Sequence, residues 1–64
     1  MTEEDVRAVL KSIGVDPKRV IEVVIGERVE IKLLGEHLTN AQLSQLEKML
    51  PLVPQVRYPH TRRQ

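Results

Sequence analysis

The segment Val20–Gly35, VIEVVIGERVEIKLLG, constrains the fold more than any other part of the chain. Ile21, Val23 and Ile25 alternate with Glu22 and Val24; after Gly26-Glu27-Arg28, the residues Val29, Ile31 and Leu33 alternate with Glu30 and Lys32. A period of two on both sides of a Gly-containing break describes two half-buried antiparallel strands joined as a hairpin. Directly opposed residues share a face, so odd positions must pair with odd ones. That rule sets Ile25 against Val29, Val23 against Ile31, Ile21 against Leu33 and Glu22 against Lys32. A slip of two residues would instead oppose Glu22 and Glu30, two like charges. The core face is thereby predicted to carry Ile21, Val23, Ile25, Val29, Ile31 and Leu33. The opposite face is predicted to carry Val20, Glu22, Val24, Glu30, Lys32 and Leu34, with Val20 across from Leu34 as an apolar end.

Two helices flank the hairpin. Thr2 is an N-cap followed by Glu3, Glu4 and Asp5, acids placed where the helix dipole favours them. Val6, Val9, Leu10 and Ile13 then form one apolar stripe, and Gly14 suits the left-handed position that closes a helix. Asp16-Pro17 reads as a cap followed by proline at the first position of a short helical turn. After Gly35 the chain must reverse, because Thr39 with Gln42 makes a capping box and Leu38 with Leu43 the matching hydrophobic staple. Leu43, Leu46 and Leu50 share a face, with Met49 expected beside them in the core. Pro51 and Pro54 end this helix. Gln55–Tyr58 is the last strand candidate, bracketed by Pro54 and Pro59 and therefore expected to be short and at an edge. Residues 60–64 are expected to form a disordered basic tail. The order α-β-β-α-β predicts an α+β domain over residues 1–59, with two helices on one face of a three-stranded sheet built on the hairpin.

Composition narrows the function classes. The chain has 64 residues, no Cys, Trp or Phe, and one Tyr. No disulfide or Cys-based zinc site can supplement so small an aliphatic core, which favours self-association or a partner. Ten basic and nine acidic side chains leave a formal charge of +1, which is no polyanion-binding signal. No apolar run is long enough to span a bilayer, and TEEDVRAVL lacks the order of a signal peptide, so a cytoplasmic location without membrane insertion is expected. His37 and His60 have neither metal-ligand spacing nor a convergent cluster. Ser12 and Ser44 lie outside any nucleophile motif, and Gly26-Glu27-Arg28 has too few glycines to cradle a phosphate. The expectation is a protein without catalytic activity, metal or cofactor.

The run Ile31-Lys32-Leu33-Leu34-Gly35-Glu36-His37-Leu38-Thr39-Asn40-Ala41-Gln42, together with the element order and Val53-Pro54-Gln55-Val56, resembles a BON domain. That family usually has Gly immediately before the first of those valines, where this chain has Leu52. The resemblance implies a non-catalytic module that binds membranes, polymers or other proteins.

Two functional classes follow from the residues. One is a protein-interaction or homo-oligomerisation module whose partner is itself or another protein, using the face of Val20, Glu22, Val24, Glu30, Lys32 and Leu34 or an open strand edge. The other, less favoured at this net charge, is a small nucleic-acid binder. It would use Lys18, Arg19, Arg57, Tyr58, Arg62 and Arg63, which offer guanidiniums and a stackable ring.

Overall fold

Each helix begins where a side chain can satisfy its first backbone N–H groups. The computed structural model describes residues 1–59 and contains α1 at Glu3–Ser12 and α2 at Asn40–Met49. At α1, the Thr2 hydroxyl accepts from Asp5 N–H at 3.2 Å while the Asp5 carboxylate accepts from Thr2 N–H at 3.0 Å. Thr39 and Gln42 form the same reciprocal pair at α2, with distances of 3.1 and 2.9 Å. Helix α1 ends at Ser12, and Gly14 just past its Ile13 cap has a φ of 97°, in the left-handed region. The Gln42 amide also donates to the Ile13 carbonyl at 3.1 Å, so the start of α2 ties off the end of α1. The Asp16 cap forms as well: its carboxylate accepts from Lys18 N–H at 2.9 Å and opens a 3₁₀ turn at Pro17–Arg19.

The sheet contains β1 at Val20–Ile25, β2 at Val29–Leu33 and β3 at Pro54–Arg57, in the order β1-β2-β3. Strands β1 and β2 are antiparallel, with Ile25 opposite Val29, Val23 opposite Ile31 and Glu22 opposite Lys32, as face matching requires. Strand β3 runs parallel to β2 on its other side, so β2 is central and both β1 and β3 are edges. The third strand begins at Pro54 and ends at Arg57, one residue earlier at each end than the sequence pattern suggests. The helices pack against one face of this sheet, and the molecule is an α+β fold. The tail expected over residues 60–64 lies outside the described residues.

One part of the hairpin departs from strict alternation. Val20 pairs with Leu33, not Leu34, and the register shifts between Val20 and Glu22, leaving Ile21 as an extra residue in a β-bulge. Val20 is therefore in the core at 9 % exposure, while Ile21, expected inside, is 42 % exposed. The cause lies at the strand's start. Leu34 N–H donates to the Arg19 carbonyl at 2.8 Å, and the Arg19 guanidinium donates to the carbonyls of Leu34 (2.7 Å) and Glu36. These bonds fix Arg19 against Leu34, one residue out of step with the register that the turn imposes. Ile21 absorbs the difference.

The core between sheet and helices is aliphatic: Val6 and Leu10 from α1, Val29, Ile31 and Leu33 from β2, and Leu46 from α2 are almost wholly buried. Val15, which the helical stripe does not include, is also inside. Met49 is not the core residue expected of it. It is 50 % exposed, its thioether accepting a long contact from the Ser12 hydroxyl at 3.9 Å.

Candidate interaction surface

The sheet face turned away from the helices is a small lattice of charges with an apolar margin. Glu22 and Lys32 lie opposite each other at 3.0 Å, and Glu30 reaches Arg57 at 3.9 Å across the parallel pair. Arg28 reaches Gln55 at 3.4 Å beyond them. Along the β1 side stand Ile21 and Val24, with Leu34 just past the end of β2, all exposed aliphatics. Of the face residues expected from the sequence, Glu22, Val24, Glu30 and Lys32 are there and Leu34 is exposed beside them. Val20 is not. The bulge buries it and brings out Ile21 in its place, so the apolar margin survives with a changed member.

The backbone of β1 adds a second feature that side-chain alternation does not reveal. Residues opposed in an antiparallel pair alternate between exchanging hydrogen bonds and turning their backbone groups outward. Val29 N–H donates to the Val53 carbonyl at 2.9 Å, on the side of β3, whereas Gly26 N–H donates to the Arg28 carbonyl at 3.0 Å within the hairpin. The odd residues of β2 thus face β3, and beyond the bulge the β1 partners of Ile31 and Val29, which are Val23 and Ile25, direct N–H and C=O away from the sheet. Val23 and Ile25 are also only half-buried on the helix side. The other edge is protected: Pro54 opens β3 without an N–H, and Pro59 follows closely.

The basic residues proposed for nucleic acid are differently employed. Arg19 is committed to the Leu34 and Glu36 carbonyls, and Arg57 faces Glu30. The Tyr58 hydroxyl accepts from Leu38 N–H at 3.0 Å, and its ring stacks on His37 with centroids 3.8 Å apart and planes 7° from parallel. Tyr58 therefore anchors the approach to α2 to the end of β3. The stack joins residues 21 apart in the chain, and no local sequence signal marks it. Lys18 is exposed on the 3₁₀ turn, while Arg62 and Arg63 lie outside the described residues. Among the described residues, no group of three or more His, Asp or Glu side chains could hold a metal ion, and no helix is long and apolar enough to cross a membrane.

No protein family, curated protein or solved structure matches the chain. The likeness to BON domains rests on the residues quoted for it alone.

Proposed function

We propose that this protein is a small non-catalytic interaction module that takes a protein partner, another chain or a further copy of itself, along the β1 side of its sheet. The observation that carries the reading is the open edge at Val23 and Ile25, where outward backbone groups lie beside exposed Val24 and Ile21. Strand addition draws affinity from such main-chain groups and specificity from the alternating side chains next to them. The mixed charges of Glu22, Lys32 and Glu30 form a polar rim of the kind that surrounds interface cores. In solution, ¹⁵N-resolved spectra recorded from millimolar down to low micromolar protein should shift at residues 21–25. Val24→Lys, which adds charge at the contact without touching the core, should remove those shifts. Shifts confined to the α2–β3 loop would refute the reading, whereas spectra identical at both ends of the dilution would exclude a further copy and leave a different chain as the partner.

A further inference from the structure

We infer that the β1 edge takes a second copy of this chain, paired antiparallel about a two-fold axis through Val24; the inference rests on the reading of that edge as the binding surface. A two-fold axis perpendicular to the sheet keeps like faces together, and so opposes residues of the same parity. With Val24 on the axis, Val23 of each copy lies opposite Ile25 of the other. Both residues direct N–H and C=O outward, so each such pair exchanges two hydrogen bonds. The two Val24 side chains then meet as a non-hydrogen-bonded pair, the closer of the two antiparallel spacings. On the helix side, Val23 and Ile25 cover each other's half-exposed surfaces.

The flanks fit the same register. Glu22 falls opposite Gly26 of the other copy, and a Cβ built on Gly26 would meet nothing within 4 Å. No like charges are opposed. A slip of two residues in one direction puts Ile25 against Ile21, which the bulge has taken out of the ladder. The opposite slip puts Val23 against Glu27 in the hairpin loop. Only the register centred on Val24 pairs Val23 and Ile25, the outward residues between the bulge and the loop, with one another. Closure follows from the other edge: Pro54 guards β3 against head-to-tail β1-to-β3 contacts, which would grow into filaments. The joined edge is short, well below the roughly 1,200–2,000 Å² of a tight complex, so half-association is expected near millimolar concentration.

The chain has no cysteine, so Val24→Cys installs a single thiol at the axis. In a glutathione redox buffer at millimolar protein, Val24→Cys should form the intermolecular disulfide about tenfold more favourably than Val53→Cys, as expected when association raises the effective concentration of one thiol near the other. Val53 is the stricter control because it is the more exposed of the two, at 68 % against 47 %. In the unsubstituted protein, amide exchange at Val23 and Ile25 should slow with rising concentration, while Val24, already bonded within the hairpin, should not change. Equal cross-linking at positions 24 and 53 overturns the two-fold arrangement, and so does a monomeric mass at millimolar concentration. If concentration-dependent shifts on β1 accompany equal cross-linking, the β1 surface stands and only the two-fold falls. Shifts confined to another part of the molecule overturn both.

Discussion

Gly14 and Gly26 differ in what a methyl group would do to them. Gly14 closes α1 with φ at 97°, and the nearest atom to an added Cβ is the Gln42 amide nitrogen at 3.8 Å, an ordinary contact. The cost of Gly14→Ala is therefore a backbone cost, about 1–2 kcal/mol for a left-handed residue with a Cβ. Gly26 has no positive φ and open space around it. Gly26→Ala should be neutral or stabilise by up to about 1 kcal/mol, through the lost freedom of the unfolded chain. Urea unfolding of the two variants checks the contrast, and equal losses would show that the turn at Gly26 requires glycine for a reason other than geometry. Tyr58 illustrates a different residue-scale effect, since one hydroxyl holds the Leu38 N–H just ahead of the α2 cap.

At the scale of elements, β1 is where two registers meet. The hairpin loop fixes Glu22–Ile25 against Val29–Lys32, and Arg19 fixes the start of the strand against Leu34. The mismatch of one residue is resolved at Ile21, which exchanges the faces of Val20 and Ile21 without disturbing the strand beyond them. A paired substitution tests this. Val20→Ala should cost about 1.5–3 kcal/mol, as expected for removing buried methyl groups from a packed site. Ile21→Ala, at an exposed bulge, should cost less than about 1 kcal/mol. Uninterrupted alternation of the hairpin requires the reverse order, so chemical denaturation of the two variants decides between the registers.

For the whole molecule, the aliphatic core is the main source of stability available. The three ion pairs among the described residues link exposed or half-exposed side chains, and such pairs contribute little. A domain of this length has a total stability of roughly 3–10 kcal/mol. Leu46 is fully buried in the cluster that joins α2 to β2 and α1. Leu46→Ala should cost about 2–5 kcal/mol, enough to consume much of that total. Thermal unfolding followed by circular dichroism should show a large drop in midpoint, and a melt within a degree or two of the parent would mean the core is not where the structure puts it.

The features legible in the sequence are those whose causes are a few residues long. Thr39 and Gln42 bond to each other's backbone within one turn, Gly14 takes a conformation other residues resist, and Glu22 through Ile25 alternate about a three-residue loop. These local interactions determined both helices, the hairpin and the α+β class. Tertiary structure decided what depends on partners distant in the chain. Val20 and Ile21 are both branched aliphatics, so hydropathy could not choose between them; the bonds from Arg19 to the chain around Leu34 did. Val56 and Tyr58 specified an amphipathic strand but not its neighbour, and β3 reached β2 because α2 carries the chain back over the sheet. The placement of β3 also left β1 as the open edge. Which backbone groups of β1 face outward depends on the hydrogen bonds that β2 makes to its other neighbour, and a single strand's sequence carries no record of them.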